Sequence, residues 1–237
     1  MTHDHRLDHR LVLTTYAQTA RTAHGTLTEL DQLSGDGDFG DNLREGLDQV
    51  ETALRERPDE AAFAVAAAVF LDEVGGTSGP LIGLLFQEIA RALSASDDAR
   101  DGWRAGVTEG LAAIQRVGEA EPGDRTMVDA LVPARDALAA GEGFAATARA
   151  ALSGAQATAA VRARRGRAAY VGDRALGVPD PGAMGVALLF WSLAEVAEPD
   201  TAPGPTSGPT SGPTPDRTPD TATDRLEELL RRARDSG

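Results

Sequence analysis

Cysteine is absent from the 237 residues, which excludes disulfides, thiolate nucleophiles and cysteine-ligated zinc. Histidine is scarce. Three of the four histidines, His3, His5 and His9, crowd the start, and His24 falls in a polar helical stretch, so imidazole acid-base catalysis has little material. No carboxylate or cysteine pattern partners the early trio, which reads as a mobile polar terminus rather than a metal site. No apolar run approaches the roughly 20 residues of a membrane span. Met1-Thr2-His3-Asp4-His5-Arg6 carries no secretory-signal pattern, and the expectation is a cytoplasmic chain. Positive charge is also short: 23 Lys and Arg against 37 Asp and Glu leave a net charge of −14. Such a balance argues against nucleic acid or an anionic membrane as partner. It suits a site that holds polyphosphate through bound cations.

What is abundant is alanine. Apolar residues make up 41%, and their long periodic runs favour one all-helical domain. The stretch from Leu30 to Asn42, Leu-Asp-Gln-Leu-Ser-Gly-Asp-Gly-Asp-Phe-Gly-Asp-Asn, packs Asp31, Asp36 and Asp38 into eight positions among glycines. Gathered carboxylates repel one another, and desolvating them without a counter-ion is costly, so a fold that collects them calls for a cation. Hard oxygen donors suit Mg²⁺ or Ca²⁺, and Mg²⁺ completes its shell with water or phosphate oxygens. A solvated acidic turn is the alternative reading of the same residues. An EF-hand fits poorly, because Asp41 and Leu47 occupy the loop positions that need Gly and Glu.

Apolar residues from Leu7 to Leu33, including Leu11, Leu13, Tyr16, Ala20, Ala23, Leu27 and Leu30, recur as on one face of a helix or two. A helix from Asn42 to before Pro58 and a nearly all-apolar one over 59–74 follow. Gly75-Gly76-Thr77-Ser78-Gly79-Pro80 then opens a helix to Leu93, with Ser78 near the N-cap and Pro80 in the first turn. That glycine and hydroxyl-lined amide end suits an anion, although a plain cap accounts for it as well. The next helix runs from Gly102 to Val117 with Gly118 as C-cap. Gly118 to Thr126 has the glycine spacing of a P-loop, but Asp124-Arg125 stands where Gly-Lys is required and the preceding segment is helical, so that motif is rejected. A helix opened by Asp124 to Thr126 and running through Val128, Leu131 and Leu138, with a kink at Pro133, is expected, then one from Gly143 to Arg165. Arg162 and Arg164 complement that helix's dipole, whereas Arg167 and Arg174, in a less regular stretch, suit bidentate phosphate binding. Asp180-Pro181-Gly182-Ala183 is again helix-start chemistry, ahead of an apolar helix over 186–196. Residues 199–223 are rich in Pro, Gly, Thr and Ser and read as a disordered linker, and 224–237 as a short charged helix or tail. The organisation expected is a helical domain over 1–198, then linker, then tail.

Acids, hydroxyl-lined helix ends and an arginine are the parts of a phosphoryl-transfer site, yet neither a Walker motif nor a protein-kinase signature is present. From about Leu7 to Glu198 the chain resembles the L subunit, or nucleotide-binding domain, of dihydroxyacetone kinases. The resemblance rests on blocks in order: Leu30-Asp31, 35–42, 75–81, 120–127, Gly166-Arg167-Ala168-Ala169-Tyr170, and Asp180-Pro181-Gly182-Ala183. It departs where Phe39 replaces a usual His, with loss of any imidazole contact, and where Leu43 replaces a usual Met. Fatty-acid-kinase relatives share an Asp-Gly-Asp loop but carry a different second loop, so 76–80 places the chain with the dihydroxyacetone group.

The resemblance implies an antiparallel barrel of about eight helices with the nucleotide, ADP or ATP, at one end. Asp31, Asp36 and Asp38 would hold two Mg²⁺. Phe39, Gly40, Asp41 and Asn42, with Thr77 and Ser78, would wrap the phosphates. Gly118, Met127, Asp180, Pro181 and Gly182 would line the rest, and Arg167 would contact the nucleotide as the catalytic arginine. It further implies transfer to a ketose held by a histidine on a separate K subunit, without which this chain is inactive. A phosphohistidine-bearing M subunit would recharge ADP in phosphotransferase-system forms, and ATP would replace it in others. Dihydroxyacetone or a tetrose such as erythrulose would be the acceptor. A nucleotide-loaded regulatory protein without catalysis is the alternative function, and a ligand-free acidic scaffold is the third.

Overall fold

The computed structural model describes residues 7–166 and 168–199, apart from the side chain of Arg174. Among them there is no strand, and no helix is long and apolar enough to cross a membrane. His3, His5, Arg167, nearly all of the expected linker and the tail lie outside the described residues.

Helix α1 spans His9–Ser34 and is capped by Asp8, whose carboxylate accepts from the amides of Arg10 and Leu11. It is a single helix. Val12, Leu13, Tyr16, Ala20, Leu27 and Leu30 are buried, whereas Leu11, expected on the same stripe, lies off that face and is 49% exposed. His9 is not part of a mobile terminus: as the first residue of α1, its ring lies 6.1 Å from Phe63 and 6.5 Å from Trp103. Next come α2 (Phe39–Glu56), α3 (Ala62–Asp72), α4 (Ser78–Ser94) and α5 (Ala99–Gly118). The left-handed residue that ends α5 is Glu119, one position beyond the expected Gly118. Helix α6 (Val128–Ala139) contains Pro133, and α7 spans Phe144–Ala157.

The helix expected to reach Arg165 thus stops eight residues early. There the Thr158 hydroxyl bonds to the Ala155 carbonyl and a 3-10 turn, Thr158–Ala160, breaks the ladder. Arg162 and Arg164 therefore stand on an irregular segment rather than at a helix end, and Arg162 pairs with Asp173 at 3.1 Å. A single turn α8 (Ala168–Val171), a 3-10 turn (Gly172–Ala175) and α9 (Pro181–Ala197) complete the order.

Consecutive long helices pack as neighbours through short connections, which makes them antiparallel. Helix α9 packs on both α7 and α1 and closes the ring. Every residue of α9 from Pro181 to Ala194 is buried, as its nearly uninterrupted apolar sequence requires. Phe63, Phe70, Phe86 and Trp103 fill the interior edge to face, with ring centroids 5.1 to 5.5 Å apart. The fold is therefore the expected all-α antiparallel barrel, with eight long helices among the described residues.

Candidate functional site

The antiparallel order brings the C-terminal ends of α1 and α5 and the N-terminal ends of α2, α4, α6 and α9 to one end of the barrel, around one cavity. Asp31, Asp36 and Asp38 line one wall. Asp31 is 6% exposed; its Oδ2 accepts the Phe39 amide at 3.0 Å, so this carboxylate also ties the end of α1 to the start of α2. Among the described residues no three histidines or acids converge closely enough to hold a metal by themselves. The donors here are oxygen alone, which fits Mg²⁺ whose remaining positions are filled by water or phosphate.

The same cavity takes in two helix starts. Neither N-cap residue, Asp38 of α2 or Thr77 of α4, caps its helix with its own side chain, and both sit in helical geometry; at α2 the Phe39 amide is taken by Asp31, whereas the start of α4 has no capping side chain and suits another acceptor. Thr77 and Ser78 line the cavity; Ser78 is the first helical residue rather than the cap. Asn42 lines it too, its side chain against the Gly76 turn. Gly118, Met127, Asp180, Pro181 and Gly182 also line the cavity. Asp180 caps α9 by accepting the Ala183 amide at 2.8 Å, and its own amide donates to the Thr158 hydroxyl at 2.7 Å. Burial pushes the Asp180 carboxyl up to about 7, with Asp129 and Asp31 adding to the rise, while the Ala183 N–H and the charge of Arg125 oppose it.

Two expected contacts are not made by the cavity lining. Gly40 faces α1, where a Cβ would meet the Thr28 hydroxyl and the His24 carbonyl, so it serves close helix packing. Asp41 is turned outward to His24 Nε2 at 2.8 Å and Arg44 at 3.1 Å, and these hydrogen bonds hold its pKa below the usual carboxylate range. Phe39 does line the cavity, but as an apolar wall: its ring end lies over Gly185 of α9, and its amide is committed to Asp31. Arg167 lies outside the described residues; Arg165 lines the cavity and pairs with Glu119 at 3.2 Å.

Sequence reasoning gave no role to Ser34, Leu81, Ile114, Ala120 or Arg125, which also line the cavity. The available signal for Arg125 was its position in the 120–127 block. The apolar liners carry no chemical mark that separates them from core.

A DAK2 domain matches residues 34–195. The L-erythrulose 1-kinase of Mycolicibacterium smegmatis is 38% identical over 196 residues, covering 78% of this chain and 34% of that protein. The ADP-binding subunit DhaL of PEP-dependent dihydroxyacetone kinase 1 from Listeria innocua is 35% identical over 172 residues, covering 71% of this chain and 85% of that one. Among solved structures, the dihydroxyacetone kinase of C. freundii in complex with AMP-PNP and Mg²⁺ aligns with a TM-score of 0.61 at 28% identity, covering 82% of this chain and 36% of that one. This chain thus spans most of the separate Listeria subunit but only about a third of the other two proteins. The chain belongs to the DAK2-domain family, as a DhaL-type member of the dihydroxyacetone kinases.

Proposed function

We propose that this chain is the L subunit of a short-chain ketose kinase, which holds ADP or ATP with two Mg²⁺ and presents the terminal phosphoryl group to a ketose on a separate K subunit. The observation that carries the reading is the cavity itself, where three aspartates share the lining with the uncapped start of α4, Thr77 and Ser78. Carboxylates alone would repel phosphate, and a helix start alone would need no acids; a magnesium-polyphosphate satisfies both. The ADP-binding role of the Listeria subunit and the C. freundii complex with AMP-PNP and Mg²⁺ support the same ligand.

When bound, Mg²⁺ would supply positive charge against the negative charge that develops on the phosphate oxygens in transfer. Asp31, Asp36 and Asp38 would hold the cations, the start of α4 with Thr77 and Ser78 would orient the phosphates, and Arg167 would contact the nucleotide. The apolar wall of Leu81, Ile114, Met127 and Pro181 excludes water around the remainder. The aspartates and hydroxyls that line the cavity supply positioning and charge. Leu33, Val117 and Tyr170 are exposed large apolar side chains within two residues of cavity-lining residues, a rim suited to the K subunit. The name of the M. smegmatis relative makes erythrulose an acceptor to test beside dihydroxyacetone.

The test has two stages. Protein stripped of nucleotide is melted with ADP, with Mg²⁺, with both and with EDTA, beside Asp31→Asn and Asp36→Ala. A ligand at about a hundredfold over its Kd raises stability by about 2.7 kcal/mol. A rise that needs ADP and Mg²⁺ together and disappears in both variants is expected; Asp31→Asn keeps an acceptor for the Phe39 amide and so isolates the charge. Phosphoryl transfer to either ketose is then assayed with and without a K subunit, using ATP or a phosphohistidine M subunit as donor. Transfer by the isolated chain, or no ligand response, would overturn the reading.

A further inference from the structure

Arg125 lines the cavity, yet the nucleotide reading gives it no task. Its backbone has φ of +63°, left-handed for a residue with a side chain. The turn around it is braced by Asp129, whose carboxylate accepts the amides of Gly123 at 2.5 Å and Thr126 at 2.8 Å. Only 1% exposed, the guanidinium donates from Nη2 to the carbonyls of both Ala175 and Val178 at 2.7 Å. Among the described residues its Nε and Nη1 have no hydrogen-bond partner, and no carboxylate stands within ion-pair distance.

Stability alone does not favour this arrangement. A buried cation without a paired anion, on a left-handed backbone, costs free energy that an apolar side chain of similar length avoids. What the arginine adds is a fork that holds two carbonyls at once. Those carbonyls belong to the segment that runs directly into Asp180, Pro181 and Gly182, which line the cavity, while Arg125 itself precedes Thr126 and Met127, which line it too. Apart from this grip, the segment is tied by the Gly177 amide to the Ala159 carbonyl and by the Asp180 amide to Thr158.

We propose that Arg125 is a positioning residue that clamps the 175–182 wall to the turn preceding α6, setting the width of the cavity before the ligand enters. Preorganisation of this kind is read out as affinity rather than as stability. The identity of the ligand rests on the proposed nucleotide function; the clamp does not.

The experiment compares wild type, Arg125→Met and Arg125→Lys in the full chain by Mg·ADP titration, amide hydrogen exchange without ligand, and thermal unfolding. Arg125→Met is expected to bind Mg·ADP about tenfold more weakly or worse. Its faster exchange is confined to 172–182, its Tm stays within a few degrees of wild type, and Arg125→Lys recovers part of the affinity. Wild-type affinity and exchange in Arg125→Met overturn the proposal, as does loosening spread over the whole barrel with a large loss of Tm, which marks a general structural role. Should Arg125→Met not fold, Arg125→Lys decides by the same criteria. If wild type fails to bind Mg·ADP, the nucleotide reading falls, and the exchange pattern still judges the clamp: local loosening sustains it and unchanged exchange overturns it.

Discussion

At Asp180 the cap of α9 and the wall of the cavity are the same carboxylate. Burial raises its pKa from the ordinary 3.8 to about 7, so between these values the folded protein keeps a proton that the unfolded chain has released. Stability contributed by that proton is complete below pH 3.8 and is lost as pH rises through about 7. Asp180→Asn retains an oxygen for the Ala183 amide and removes the titration. The variant should match wild type in Tm near the acid end of this window and exceed it at about pH 8, by a difference on the order of 2–4 kcal/mol. A difference that does not change with pH would show that the carboxyl ionises normally. Residues of this kind were legible in the sequence because their letter states their chemistry: clustered Asp, Thr-Ser after glycines, Asp-Pro at a helix start. Arg125 was not, since a buried guanidinium and a solvated one are written alike and only the fold places Ala175 and Val178 around it.

Helix starts carry the site, and their spacing depends on how closely the helices approach. Where α2 meets α9, a Cβ on Gly185 would stand 2.7 Å from Phe39 Cζ and 3.1 Å from its Cε1, closer than the ring can accept without moving. Gly185→Ala is therefore expected to cost about 1–3 kcal/mol, since overpacking forces the ring off its rotamer. Phe39→Leu on top of it should return part of the loss, and additive effects in the double mutant would show that the two positions do not meet. The period of apolar residues made the long helices legible, from α1 through α6 and again at α9, because each buries a single stripe or, in α9, every side. It failed at the end of α7. Alanine and arginine both favour helix, so nothing local predicted that Thr158 would turn its hydroxyl to the Ala155 carbonyl, accept the Asp180 amide and leave Arg162, Arg164 and Arg165 on a loop. The outward turn of Asp41 was equally hidden: its partner His24 is 17 residues away on α1.

Across the whole molecule, closure of the ring was beyond periodicity and came with the family resemblance, since the pattern of one helix does not name its neighbours. The closing contacts include a tie made at the far end of the described chain. Helix α7 begins at Gly143 without a capping side chain of its own, and Glu198 replaces it by accepting the amides of Phe144 and Ala145 at 3.1 Å each, while Arg100 of α5 donates to the same carboxylate at 2.7 Å. Those amides and Arg100 lower the pKa of Glu198 against the opposing effect of burial, so its contribution is present above the ordinary carboxylate range and is lost as pH falls. The helical domain should therefore need residue 198 but not the expected linker and tail. A chain ending at Pro199 is expected to keep the wild-type Tm and its response to Mg·ADP. A chain ending at Ala197, or Glu198→Ala in the full chain, is expected to lose about 1–2 kcal/mol through the lost cap, a fall in Tm of roughly 2–8 °C for a domain of this size. The loss should shrink in acid, where wild type gives up the same interaction. If the chain ending at Pro199 melted well below wild type, residues beyond 199 would contribute to the barrel and the boundary would move outward; if Glu198→Ala melted like wild type, the start of α7 would be held by packing on α6 and α9 alone.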